Sequence, residues 1–164
     1  MRPETSAAAP GRLAGAAGYR FAIVFSRFNE EITTRLCEGA RAALAEAEAR
    51  AEDVEVVSVP GAFELPQAAR AIAETGRFDA VICLGCVIRG ATPHFEYISS
   101  SVAHGIQDAS GQTGVPMAFG VLTTDTVQQA EERASEGRDN KGFEAAAAAI
   151  EMAQLFRRWQ PARP

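Results

Sequence analysis

The run Ala80-Val-Ile-Cys-Leu84 is apolar at every position and is entered through Phe78-Asp79. A short, partly β-branched run without alternation reads as a strand buried on both faces, and such strands belong to parallel sheets. Gly85 and Gly90 bracket its exit. Thr92-Pro93 then predicts a helix start, with Thr92 as N-cap and Pro93 at the first helical position, where a missing N–H costs nothing. Phe95, Ile98, Val102 and Ile106 follow at helical spacing. A strand, a glycine-containing turn and a helix N-terminus together make an anion site, because free N–H groups and the positive helix end point at one place. Arg89 and Thr92 lie in that turn, and Arg89 is free to face either the turn or solvent. His94 stands in the first helical turn, where a proton-transfer group would sit beside a bound anion. On its own this stretch fits two readings equally: a phosphate pocket beside a proton-transfer group, and a plain loop–helix junction with a surface histidine.

The rest of the chain repeats the alternation. Tyr19-Arg-Phe-Ala-Ile-Val-Phe25 predicts a first strand, leaving through Ser26-Arg-Phe-Asn29. Asn29 is placed to cap the next helix, with Glu30 and Glu31 in its first turn. Ile32, Leu36, Ala40, Leu44 and Ala47 form its buried stripe. Val54–Val59 predicts a second strand, ended by Pro60-Gly61, and Ala62-Phe-Glu-Leu-Pro66 opens a helix to about Glu74. Val115–Leu122 predicts the fourth strand, in which Pro116 is tolerable near the start or on an edge. Thr126 and Gln129 have capping-box spacing for a short helix. Ser135–Asp139 breaks it, and Asn140 starts a last helix from Lys141 to about Trp159. That helix carries one apolar stripe of Phe143, Ala146, Ile150 and Ala153, and a second of Met152, Leu155, Phe156 and Trp159. Apolar surface on two sides predicts an interface beyond the chain's own core. The order βαβαβαβαα implies a parallel sheet covered on both faces by right-handed crossovers. Ligands of such sheets collect at the carboxyl ends of the strands, here Ser26–Asn29, Pro60–Glu64, Cys86–His94 and Thr123–Asp125.

Net charge of -5 over 164 residues argues against a nucleic-acid partner or a membrane surface. No apolar run reaches the roughly 20 residues that span a bilayer. Residues 1–18 are rich in Ala, Gly and Pro and read as a flexible arm anchored only at Leu13. The domain is expected over 19–159, with a disordered tail over 160–164. The N-terminus lacks the apolar core of a signal peptide, and three cysteines, Cys37, Cys83 and Cys86, suit a reducing cytoplasm. Cys83 and Cys86 form a C-x-x-C. On a strand, positions three apart point to opposite faces, so buried structural thiols are expected rather than a redox pair. No second Cys/His pair is placed to complete a zinc site.

Six motifs in order resemble the lumazine synthase family of riboflavin biosynthesis. They are Arg27-Phe-Asn29, Val59-Pro-Gly-Ala-Phe-Glu-Leu65, Leu84–Tyr97, Pro116–Thr124, Glu132-Arg-Ala134 and Asn140-Lys-Gly142, and the likeness spans about residues 11–159. It implies a flavodoxin-like α/β/α sandwich with a four-stranded parallel sheet in order 2-1-3-4. It implies a transferase that joins 5-amino-6-(D-ribitylamino)uracil to 3,4-dihydroxy-2-butanone 4-phosphate, releasing phosphate and water, without metal or organic cofactor. By resemblance Phe28 stacks on the pyrimidine, and Ala62, Phe63 and Glu64 hold the ribityl chain and ring. Cys86, Val87 and Ile88 line the pyrimidine pocket with main-chain groups. Ala91, Thr92 and Arg133 hold the phosphate, and His94 transfers protons. Phe119 and Lys141 close the pocket from a neighbouring subunit. Cys86 stands where many relatives carry Thr, a change of little weight for a main-chain contact. The linker Ser135–Asp139 has the length that accompanies sixty-subunit shells of pentamers, so self-assembly to a shell is expected, with riboflavin synthase a candidate partner. The arm around Gly11 to Leu13 would add a strand to a neighbour's sheet. Taken alone, several of these residues have plainer roles: Glu64 as a helix-start carboxylate, Arg133 and Lys141 as solvated charges, Phe28 as a strand-end core residue. Two further readings of the whole chain are a flavin-binding relative with poor turnover and a structural shell protein.

Overall fold

A computed structural model describes residues 13–160. The strands are β1 (Phe21–Ser26), β2 (Val54–Val59), β3 (Ala80–Ile88) and β4 (Met117–Thr124). All pair in parallel, in the order β2-β1-β3-β4. The expected 2-1-3-4 sheet is therefore the one present. The helices are α1 (Glu30–Glu46), α2 (Leu65–Glu74), α3 (His94–Thr113), α4 (Val127–Arg133) and α5 (Lys141–Arg157).

Strand alternation splits the core in two. Phe21, Ile23, Ile82, Leu84 and Cys86 face α1 and α5, whereas Ala22, Val24, Val81, Cys83 and Val121 face α2 and α3. The α1 stripe read from the sequence is buried throughout, Ile32 to Ala47. Leu36 is fully buried, so truncating it to Ala costs about 2–5 kcal/mol. Helices α1 and α5 approach closely enough to require glycine: a Cβ on Gly142 would lie 1.9 Å from the Leu36 carbonyl oxygen, and one on Gly39 would lie 2.1 Å from Asn140 Oδ1. That closeness seats the α5 cap, whose Asn140 Oδ1 accepts from the Gly142 and Phe143 N–H groups, while its Nδ2 donates to the Arg35 carbonyl. On the second α5 stripe, Leu155 and Phe156 are half-buried, Met152 is exposed and Trp159 is 70% exposed.

Four local expectations are corrected. Strand β3 does not end at the apolar run but continues through Gly85 to Ile88, because β4 pairs with it to Ile88↔Thr124. Thr92 does not cap α3. Pro93 precedes the first helical residue, and its carbonyl accepts the Glu96 N–H at 3.2 Å. Asn29 starts α1, but its side chain makes no cap; its left-handed backbone (φ 61°), which Asn tolerates, turns the amide elsewhere. The box on α4 is half formed: Thr126 Oγ1 accepts from the Gln129 N–H, but Gln129 Oε1 reaches the Asp125 N–H instead of Thr126.

Residues 13–18 are tied down. Leu13 and Ala16 are buried, the Ala16 N–H bonds to the Ala47 carbonyl, and Gln154 Nε2 donates to the Ala14 and Gly15 carbonyls. Gly11 and residues 161–164 lie outside the described residues, as does most of the segment expected to join a neighbour's sheet. No helix among the described residues is long and apolar enough to cross a membrane.

Candidate active site

Parallel pairing brings all four strand exits to one edge of the sheet, and hydrogen bonds tie them into a rim. The Arg27 N–H donates to the Val59 carbonyl at 2.8 Å, and the Phe28 N–H to the Pro60 carbonyl at 3.0 Å. The exits of β1 and β2 thus move as one piece. Phe28 and Phe63 project from it, 71% and 60% exposed. Large aromatic faces left open to water on adjacent loops are suited to a planar ligand. Ala62 is buried beneath them, and Glu64 Oε2 accepts the Gly61 N–H at 2.9 Å, which fixes the turn. Glu64 therefore has the plainer role as well, with its second carboxylate oxygen left over.

Strand β3 overhangs β1. The β1–β3 register stops at Phe25↔Leu84, while β3 runs on to Ile88. Arg89 N–H bonds across to the Thr124 carbonyl on β4. Successive strand residues send their main-chain groups to opposite sides, so Cys86 and Ile88 point theirs toward the slot that β1 vacates. The Asn29 amide enters that slot and donates Nδ2 to the Cys86 carbonyl at 3.0 Å. This is what the left-handed Asn29 accomplishes in place of capping. Ile88 offers an N–H and a carbonyl beside it. Of the main-chain surface expected of Cys86, Val87 and Ile88, the geometry leaves Cys86 and Ile88 facing the slot, whereas Val87 is paired toward β4.

The two thiols of the C-x-x-C lie in different halves of the core, Cys83 toward α2 and α3 and Cys86 toward α1 and α5. Burial pushes the Cys83 thiol up to about 12 and the Cys86 thiol up to about 11. They are protonated core groups, as the strand geometry predicts.

The β3 and β4 exits make the charged half of the rim. Ala91, Thr92 and His94 are all exposed, His94 as the first residue of α3. Arg89 points neither into the turn nor free to solvent. Its Nε donates to Asp125 Oδ1 at 2.7 Å, its Nη1 pairs with Glu96, and its guanidinium stacks 4.4 Å from the centre of the Phe95 ring. The hydrogen bonds to Asp125 and Glu96 hold the Arg89 charge more firmly, and the bond from Arg89 lowers the Glu96 carboxyl below its usual range. Arg133, at the end of α4, is half-buried, with Nη1 donating to the Gln129 carbonyl at 3.0 Å. Its guanidinium is thus drawn back toward the first turn of α4, the helix that follows β4.

Two candidates do not join this group within one chain. Phe119 sits opposite Cys83, five residues back along β4 from Thr124, which is roughly 16 Å from the rim. It is 48% exposed. Lys141 lies in the α1–α5 layer, with Nζ held by Glu144 at 2.8 Å. A concavity of about 230 Å³ lies away from the rim, lined by Val57, Ile72, Thr75, Arg77 and Phe78 on the β2 side. The rim of a single chain is open. The sequence placed Arg89 in the anion turn but gave no site role to Asn29, Glu96 or Asp125. The Asn29–Cys86 and Arg89–Asp125 partners are 57 and 36 residues apart, and the Arg89–Glu96 spacing of seven is a weak signal.

A model of the 6,7-dimethyl-8-ribityllumazine synthase family matches residues 18–157. The chain belongs to that family. It is also 58% identical over 147 residues to a 6,7-dimethyl-8-ribityllumazine synthase of Syntrophus aciditrophicus (strain SB), a match covering 90% of this chain and 95% of the relative. The resemblance drawn from six motifs therefore holds over nearly the whole domain.

Proposed function

We propose that this chain condenses 5-amino-6-(D-ribitylamino)uracil with 3,4-dihydroxy-2-butanone 4-phosphate to give 6,7-dimethyl-8-ribityllumazine, phosphate and water, and that the rim at the carboxyl ends of the strands is where it does so. The observation that carries this is the rim's division: Phe28 and Phe63 exposed on one side, His94 and Arg133 on the other, joined through the overhanging end of β3.

The ring of the pyrimidine lies against Phe28, with its polar edge on the main-chain groups of Cys86 and Ile88, while Val87 between them keeps its backbone on β4. Its ribityl chain runs past Ala62, Phe63 and Glu64. The phosphate is held by Arg133, by Thr92 and by N–H groups around Ala91 near the α3 N-terminus, where the helix dipole favours an anion. The amine of the pyrimidine adds to the ketone carbon and the carbonyl oxygen leaves as water; the phosphate then leaves with its bonding electron pair, the resulting enol tautomerises to a new carbonyl, and the ribityl-bearing amine closes the ring onto it with loss of a second water. Each step moves a proton, and His94 is the group in reach of them. No strong protein nucleophile is required; much of the acceleration comes from holding two reactants in register.

Phe119 and Lys141 complete the pocket from an adjacent copy. The half-exposed Phe119, far from its own rim, supports a self-assembled enzyme with sites between subunits, and the exposed Met152 and Trp159 support contacts beyond one chain. The linker of residues 135–139 favours a sixty-subunit shell, to which riboflavin synthase could dock. Three buried free thiols fit a reducing cytoplasm.

The deciding experiment is turnover with both substrates, with particle mass measured on the same sample. Lumazine formation by a multi-subunit particle is expected. Tight flavin or lumazine binding without product would replace this reading with a binding protein, and a catalytically silent shell would leave only the assembly. A lone monomer would remove the shared site.

A further inference from the structure

Asn29 stands between the exposed Phe28 and the first residue of α1, yet its side chain does not cap that helix. Its backbone lies in the left-handed region, at φ 61° and ψ 45°. Glycine meets that conformation at the least cost, and Asn is one of the few other residues that enter it. The backbone requirement alone therefore does not call for an amide. The amide has a distant partner: Nδ2 donates to the Cys86 carbonyl at 3.0 Å, across the slot where β3 runs on beyond β1. The Asn29 carbonyl meanwhile accepts the Ile32 and Thr33 N–H groups at 3.0 and 3.1 Å. One residue thus ties the start of α1 and the overhanging end of β3 to the loop that carries Phe28.

We propose that Asn29 is a positioning residue that fixes the gap between the Phe28 ring and the main-chain groups of Cys86 and Ile88, and so the orientation of the planar heterocycle bound between them. This rests on the roles given above to Phe28 and to the end of β3. Two observations support it. Arg27 and Phe28 give their N–H groups to the Val59 and Pro60 carbonyls, on the β2 side. Among the described residues, the Asn29 amide then supplies the hydrogen bond that joins residues 27–29 to β3, in place of the strand that has ended. Asn29 is also half-buried while the adjoining Phe28 ring is open to water, so the tie lies within the rim and leaves the ring face free.

The test uses the assembled enzyme, in steady-state turnover with each substrate varied in turn and in fluorescence titration with the lumazine product. Asn29→Gly keeps the left-handed backbone and removes only the amide. It is expected to raise KM for the pyrimidine and Kd for the lumazine by about 5- to 10-fold, the scale of one net hydrogen bond. KM for the phosphorylated ketone should stay within about twofold, since that substrate makes no use of the gap. Asn29→Asp tolerates the same backbone and has nearly the same shape, but it offers no donor to the Cys86 carbonyl; its loss should match or exceed that of Gly. In a Phe28→Ala background Asn29→Gly should add little, because the gap has lost one of its walls. Wild-type affinity for pyrimidine and lumazine in Asn29→Gly, equal losses for both substrates, full recovery with Asp, or simple additivity with Phe28→Ala would overturn the proposal. If Asn29→Gly assembles poorly, Asn29→Asp, alone and combined with Phe28→Ala, carries the test. The two failures are distinguishable. Normal turnover in which every Asn29 variant behaves as wild type would remove the positioning role alone. Wild-type enzyme unable to turn over the two substrates would remove the functional reading beneath it, while the lumazine titration would still decide whether Asn29 sets the gap.

Discussion

The two halves of the rim are held by different means. At the β1 and β2 exits the loops are locked by main-chain bonds, Arg27 to Val59 and Phe28 to Pro60, and the aromatic side chains are left open, with Phe28 and Phe63 out in water. At the β3 and β4 exits one main-chain bond, Arg89 to Thr124, is supplemented by charged side chains holding one another: Arg89 with Asp125 and Glu96. A ligand that offers a flat face needs an immovable shelf, which backbone provides. A ligand that offers a dianion needs a set of charges already oriented, which a network of side chains provides. The comparison teaches that substitutions on the aromatic side should change affinity for one substrate, whereas substitutions on the charged side should change both geometry and rate.

The sharpest contrast should come from the histidine. His94→Ala is expected to lower kcat by about 100-fold, the lower end for losing a proton-transfer group, with pyrimidine affinity largely intact. Unchanged kcat would take His94 out of the chemistry. Next, Arg133→Ala should raise KM for the phosphorylated ketone by roughly 30-fold, equivalent to about 2 kcal/mol for a charge-assisted contact, and leave pyrimidine binding nearly alone. Equal losses for both substrates would erase the distinction between the two halves. Phe28→Ala should do the reverse. It should weaken pyrimidine affinity by about fivefold, near 1 kcal/mol for a lost aromatic stack, with phosphate inhibition unaltered.

The smallest effect concerns acid. Glu96 has its carboxyl lowered, first by the hydrogen bond from Arg89 and then by its backbone bond. A lowered folded-state value stabilises the protein above the unfolded carboxyl value, about pH 4.3, and that contribution disappears as the pH falls through the folded value. Melting temperatures taken between neutral pH and about pH 3 should fall slightly more steeply for wild type than for Arg89→Ala. Parallel curves would mean that the exposed pair contributes nothing to stability, as many surface pairs do not.

Much of this molecule was written in local pattern. The apolar run at Ala80–Leu84, the four-residue steps of α1, and Asn140 as the α5 cap each follow from chain neighbours, and each is present. The misreadings have two causes. At Thr92 the miss is local, a helix that starts one residue later, but for Asn29 and the end of β3 the outcome is decided at a distance. The Asn29 amide bonds to Cys86, 57 residues on, and β4 extends β3 through a glycine that looked like punctuation. Gly85 is glycine because a Cβ would meet Leu65 Cδ1 at 3.0 Å and Ser26 Oγ at 3.1 Å. Of the proposed site, Phe28, Glu64, His94 and Arg133 could be named from motif alone. The Arg89–Asp125 pair could not, since nothing in the spacing of the two says that adjacent strand exits will bring them together.

The overhang of β3 beyond β1 carries a rule of parity. Even-numbered residues there offer their backbone to the vacated slot and odd-numbered ones offer it to β4. Removing one residue between Leu84 and Ile88 would exchange the two sets, presenting the wrong atoms along the whole lip while leaving its composition almost untouched. Removing two would restore the sense and merely shorten the reach. The lip thus tolerates changes of letter far better than changes of count, and a deletion series counted in ones and twos would show activity alternating with it.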